Sequence, residues 1–226
     1  MGYTALKLSG NGRCSLVKVK VCGITNLTDA LSAVGSGADA VGFIIYKGSK
    51  RYVSAKEVRS ITAQLPPFVT KVGVFVNEDP RSILEILSYA HLDFAQLHGD
   101  ETPEDCDYVG PNRVIKVFRF RSKEEISAVE PYIGKVRAIL LDTYDTKVYG
   151  GTGKPFNWEI AVAVKERYPE LPLILSGGLN PLNVVDAVET VNPYAVDVCS
   201  GVELSPGRKD PGKVEEFIRR AKCSCK

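Results

Sequence analysis

Residues 17–44 read VKVKVCGITNLTDALSAVGSGADAVGFI. A β-branched run at 17–22 is followed by an amphipathic stretch at 26–36 and a second β-branched run at 39–44. This is the pattern of a βαβ unit with parallel strands. The alternation continues, with strand-like runs at 69–76, 93–97, 113–117, 136–141, 171–176 and 194–198, and amphipathic stretches at 80–91, 158–168, 181–190 and 211–222. Asp79-Pro80, Thr102-Pro103, Asn180-Pro181 and Asp210-Pro211 each put a capping side chain before proline, the signature of a helix start. Eight strand runs with a helical slot after each predict an α/β fold, a single eight-fold parallel β/α barrel of the TIM type. An open doubly wound sheet uses about six strands and would leave two over.

The 226 residues are slightly few for such a barrel, which typically has about 250, yet enough for one undivided core. Residues 1–16 read as an N-terminal extension and residues 17–226 as the barrel domain. A net charge of +2 with scattered basic residues gives no nucleic-acid footprint. The polar, glycine-broken start does not match a secretory signal, and no run reaches the roughly 18 apolar residues of a spanning helix. Six dispersed cysteines in a chain with its own core are expected to be reduced, which implies a cytoplasm-like compartment. Cys223 and Cys225 lie in a tail expected to be disordered, and with only His91 and His98 to join them a zinc site is not expected.

In a β/α barrel the segments after the strand C-termini form the active-site mouth. Cys22 ends the first strand run, where a thiol can face the mouth and act as a base if the site supports its thiolate; its bland alternative is a small core residue. Asp142 ends the sixth run, where partial burial would raise its pKa and suit it to donate a proton; capping of local backbone is the equal alternative. Arg51 has the fork for a carboxylate, and His98 can orient substrate, although a surface salt bridge and a structural histidine are the ordinary fates. Gly177-Gly178 and Ser200-Gly201 follow the last two runs, where barrels often hold phosphate. Strand parity leaves open whether Lys20, Lys116 and Asp197 point inward or toward the helices. Two nucleotide motifs fail: 150–155 lacks the P-loop's first glycine and its Ser/Thr, and Gly35-Ser36-Gly37 follows a helix and lacks a third glycine.

Taken together, Lys20-Val-Cys-Gly-Ile-Thr25, Ser49-Lys-Arg-Tyr-Val-Ser54, Val72-Gly-Val-Phe-Val-Asn77, Gln96-Leu-His-Gly99, Leu141-Asp-Thr143, Leu175-Ser-Gly-Gly-Leu179 and Val196-Asp-Val-Cys-Ser-Gly-Val-Glu203 closely resemble the phosphoribosylanthranilate isomerases of tryptophan biosynthesis. The resemblance runs in order from about residue 18 to 220. It implies an Amadori rearrangement of N-(5-phosphoribosyl)anthranilate to 1-(2-carboxyphenylamino)-1-deoxyribulose 5-phosphate, with no cofactor and no metal. It also implies Cys22 as base, Asp142 as acid, Arg51 as partner of the anthranilate carboxylate, and Gly177, Gly178, Ser200 and Gly201 as the phosphate site. Cys199 departs from the serine that related sequences commonly carry. The expected partner is the small phosphoribosyl substrate, with no nucleic acid or membrane; the oligomeric state is left open, a homodimer included. The glycine-rich segment 143–156 reads either as a mobile lid beside Asp142 or as an ordinary solvated connection. The competing readings are the histidine-pathway aminoaldose isomerase, which uses two aspartates, and a non-catalytic phosphometabolite-binding barrel.

Overall fold

A computed structural model describes residues 17–142 and 158–223. Eight parallel strands close in sequence order into a barrel: β1 (Lys18–Val21), β2 (Ala40–Ile44), β3 (Thr70–Phe75), β4 (Phe94–Leu97), β5 (Val114–Phe118), β6 (Ala138–Leu141), β7 (Leu173–Leu175) and β8 (Ala195–Val198). Closure is made by β1 against β8, with Lys20 opposite Asp197 and Val21 opposite Val198. Around the strands lie α1 (Leu27–Gly35), α2 (Ala55–Thr62), α3 (Pro80–Tyr89), α4 (Pro103–Val109), α5 (Trp158–Arg167), α6 (Val184–Val191) and α7 (Pro211–Lys222).

The period-2 alternation of strand side chains makes two separate apolar layers. Val72, Ile115, Val117, Ala138, Leu140, Ile174 and Ala195 fill the barrel itself. Val19, Val21, Leu97, Ile139, Leu141, Val196 and Val198 face the other way and pack with the helices. This parity decides the residues left open by the sequence. Lys20 and Asp197 lie inside the barrel and bond each other, whereas Lys116, between the inward Ile115 and Val117, points to the helix layer. There its ammonium pairs with Glu101 at 2.7 Å and donates to the Gly99 carbonyl.

Three of the four cap-proline signals start helices as expected. Asp79 accepts from the Ser82 amide, Thr102 forms a capping box with Asp105, and Asp210 accepts from the Gly212 and Lys213 amides. Asn180-Pro181 instead opens a turn, because Asn180 Oδ1 takes the Leu182 amide and Asn183 Oδ1 takes that of Asn180; α6 starts only at Val184. The fifth helical slot is a 3₁₀ segment, Lys123–Tyr132, with Pro131 near its end. The eighth loop holds a small antiparallel pair, β9 (Glu203–Ser205) and β10 (Arg208–Lys209), absent from the sequence-based expectation. Cys223 is not loose tail: it is the C-cap of α7, its amide bonded to the Arg219 carbonyl. The extension 1–16, the glycine-rich segment 143–156 and Cys225 lie outside the described residues. Among the described residues no helix is long and apolar enough to cross a membrane.

Glu101 is almost fully buried and also accepts the backbone amides of Asn77 and Gly99, so it ties the third and fourth loops to Lys116. Glu101→Ala leaves a buried ammonium unpaired and two amides without their acceptor. It should cost about 3–5 kcal/mol in urea unfolding; a cost under about 1 kcal/mol would show that the pair does not hold these loops.

Candidate active site

Extending the inward register of β1, β4, β6 and β8 by one step brings Cys22, His98, Asp142 and Cys199 to the mouth. Beneath them, the Lys20 ammonium donates to Asp197 Oδ1 at 2.7 Å and to Gln96 Oε1 at 2.9 Å. Asp197 is held from the other side by Ser176 Oγ at 3.1 Å. Burial works against the charge on Lys20, but Asp197 and Cys22 beside it more than offset that and keep its pKa above the ordinary lysine value.

Gly42, on the inward face of β2, makes room for this group. A Cβ there would stand 2.7 Å from Cys22 Sγ and 3.1 Å from Lys20 Nζ. The two side chains therefore share one small space. Burial pushes the Cys22 thiol up, Lys20 pulls it down, Asp197 pushes it up and Lys209 pulls it down, with the balance above the ordinary thiol value. Cys199 and Arg51 also interact electrostatically with it.

At the sixth strand end, Asp142 Oδ2 lies 3.3 Å from His98 Nε2 and 3.7 Å from Arg119 Nε. His98 Nδ1 in turn lies 3.2 Å from Gln96 Nε2. On the other side of the mouth, Arg51 Nε and Nη2 form a fork on Glu203 at 2.8 and 2.6 Å. Glu203 also receives Lys209 Nζ at 3.0 Å. Although burial opposes ionisation of Glu203, these cations hold its carboxyl below the usual range, while the Glu203 bonds raise Arg51.

Gly177 and Gly178 both adopt positive φ, +84° and +69°. The Gly178 carbonyl is gripped by the side-chain amides of Asn180 and Asn183. Ser200 and Gly201 lie in a single 3₁₀ turn, Ser200–Val202. A side chain on Gly201 would run into the Leu179 carbonyl, so this glycine is what lets the eighth loop lie directly against the seventh.

The structure thus gathers Cys22, Arg51, His98, Asp142 and both glycine segments around one barrel end. Sequence reading missed Gln96, Arg119 and Lys209. Gln96 stands in a quoted motif, but only inward parity two residues before His98 marks it; Arg119 carries the matching signal, one step past the fifth strand. Lys209 had no signal, because the hairpin that returns it to the mouth was not foreseen.

A barrel whose mouth offers a thiol, a carboxyl, an arginine fork and adjoining glycine turns is the arrangement of the sugar-phosphate isomerase class. The family model for N-(5'-phosphoribosyl)anthranilate (PRA) isomerase matches residues 19–220, and the chain belongs to that family. It is similar to the N-(5'-phosphoribosyl)anthranilate isomerase of Geobacter sulfurreducens, with 53% identity over 92% of this chain and 99% of the relative. The crystal structure of phosphoribosyl anthranilate isomerase from Thermotoga maritima superposes with a TM-score of 0.84 at 49% identity, over 91% of this chain and 98% of that one. A phosphoribosyl anthranilate isomerase in complex with reduced 1-(o-carboxyphenylamino)-1-deoxyribulose 5-phosphate gives 0.78 at 45% identity, with the same coverage. The chain is an aldose–ketose isomerase of tryptophan biosynthesis.

Because burial outweighs Lys20, the thiolate of Cys22 should accumulate only at high pH. Alkylation by iodoacetamide, mapped to Cys22 by mass spectrometry, should accelerate with pH and reach half its maximum above about 8.5. A midpoint below that value would mean that Lys20 wins over burial.

Proposed function

We propose that Cys22 is the general base and Asp142 the general acid of the isomerisation of N-(5-phosphoribosyl)anthranilate to 1-(2-carboxyphenylamino)-1-deoxyribulose 5-phosphate. The observation that carries this reading is the mouth itself. The thiol of Cys22, beside a buried ammonium, and the carboxyl of Asp142, bonded by His98, flank the same barrel opening. Asp142 protonates the ribose ring oxygen and the ring opens to a Schiff base. The sugar C2 hydrogen becomes acidic, Cys22 removes it, and the resulting enolamine relaxes to the ketone. One proton leaves the acid and one reaches the base, so the substrate gains none. Each transfer contributes about 10²- to 10⁴-fold, and positioning supplies the rest.

Arg51 supports recognition of the anthranilate carboxylate. Its bonds to Glu203 use Nε and Nη2, which leaves the Nη1 end of the guanidinium for a second carboxylate. Gly177, Gly178, Ser200 and Gly201 hold the phosphate where the seventh and eighth loops adjoin, through backbone N–H groups. His98 orients the Asp142 carboxyl toward the ring oxygen. The free thiols of Cys22, Cys106, Cys199 and Cys223 support a reducing, cytoplasm-like compartment.

Cys22→Ser and Asp142→Asn should each fold normally and lose at least about 10²-fold in kcat in a fluorescence assay on freshly generated substrate. Near-normal turnover of either variant removes that residue from the mechanism. Gly178→Asp puts a negative charge and a strained side chain at a positive-φ position, and should raise KM about tenfold or more with a smaller effect on kcat. An unchanged KM in the folded variant would move the phosphate elsewhere.

A further inference from the structure

A continuous line of polar contacts runs across the barrel between the two ends of this chemistry. Lys20 Nζ stands with Cys22 over Gly42 and donates to Gln96 Oε1 at 2.9 Å. Gln96 Nε2 meets His98 Nδ1 at 3.2 Å, and His98 Nε2 meets Asp142 Oδ2 at 3.3 Å. The chemistry of the donors fixes every direction along the line. An ammonium has no acceptor, so the oxygen of the Gln96 amide must face Lys20 and its NH₂ must face His98. An amide NH₂ only donates, so His98 Nδ1 is the acceptor and the ring hydrogen sits on Nε2, aimed at Asp142.

Gln96 is 1% exposed and sits on β4, whose neighbours in the barrel are otherwise apolar. A polar side chain buried there is costly unless both ends of its amide are used, and both are. From this geometry we propose that Gln96 is the positioning residue that couples the two halves of the site. Its carbonyl holds Lys20 beside Cys22, and its NH₂ holds His98 in the Nε2–H tautomer that donates to Asp142. A single amide thereby sets the surroundings of the base and the orientation of the acid. The functional part of this statement rests on the acid and base roles given above, whereas the tautomer does not.

The test uses the full chain, which has only two histidines, His91 and His98, so their ring nitrogens are assignable by long-range ¹H–¹⁵N spectra. In the substrate-free parent, His98 should show the Nε2–H tautomer. In Gln96→Glu the carboxylate accepts from both neighbours, so hydrogen should appear on Nδ1. Gln96→Leu should lose the tautomer preference and lower kcat about tenfold or more while KM moves less than threefold. An Nδ1–H tautomer in the parent overturns the proposal without any variant having to fold. So does a folded Gln96→Leu protein with kcat within about twofold of the parent. Cys22→Ser and Asp142→Asn measured beside them separate the two readings. If those variants stay active while His98 keeps its tautomer, the acid and base assignment fails and the geometry around Gln96 stands.

Discussion

The buried pair of Lys20 and Asp197 is the constraint on which the rest of the site depends. It closes the barrel seam, because the two residues stand opposite each other where β1 meets β8. Both side chains are almost fully removed from water, and each such charge costs several kcal/mol to desolvate. The pair persists because its remaining bonding capacity is used: Gln96 Oε1 accepts a second hydrogen bond from Lys20, and Ser176 donates to the second oxygen of Asp197. Below the pair the barrel is filled by Val72, Ile115, Leu140, Ile174 and their neighbours. Above it stand Cys22, His98 and Asp142, the groups proposed to take part in the reaction. The pair is thus the boundary between the apolar filling and the polar mouth, with its ammonium close to Cys22.

Much of the fold was legible because it rests on local chemistry. β-branched runs, amphipathic stretches and proline caps at Asp79, Thr102 and Asp210 are decided within a few residues, and all eight strands fall where the runs lie. The errors come where side chains compete for backbone. Asn180 carries the same cap-proline signal, but Asn183 three residues on competes as acceptor for the nearby amides, and the helix is delayed to Val184. The pair β9 and β10 was illegible for another reason. Such short strands have no periodicity to read, and Glu203 and Lys209 gain their meaning only from Arg51, distant in sequence.

The candidate site divides in the same way. Cys22, His98 and Asp142 were readable because each stands at or just beyond the end of a strand-like run, where a barrel turns its residues to the mouth. The orientation of Lys20, Lys116 and Asp197 was not, since one residue of register exchanges interior for exterior and apolar runs buried on both faces carry no alternation. Gln96 was hidden for the same reason. Its importance comes from Lys20 and His98 meeting on either side of one amide, a relation between strands one and four that no single segment contains.

Cys199, where the family resemblance leads one to expect serine, is intelligible in the same electrostatic terms. Two thiols on adjacent strand ends face one mouth, and only Cys22 is proposed as the base. Burial pushes Cys199 up to about 12, and the neighbouring Cys22 adds to that, against the pull of Lys209 and Arg51. Lys209 Nζ lies 3.9 Å from the Cys199 sulfur but is also engaged by Glu203 and by the Cys199 carbonyl, and Arg51 is engaged by Glu203. At neutral pH Cys199 is a thiol, a weak donor in the place where a hydroxyl would be a stronger one. A thiolate on Cys22 would raise Cys199 further, since like charges at close range oppose each other. The two cysteines therefore differ in the cation each meets, Lys20 beside Cys22 and Lys209 beside Cys199, and the interior pair with Asp197 is what orients Lys20.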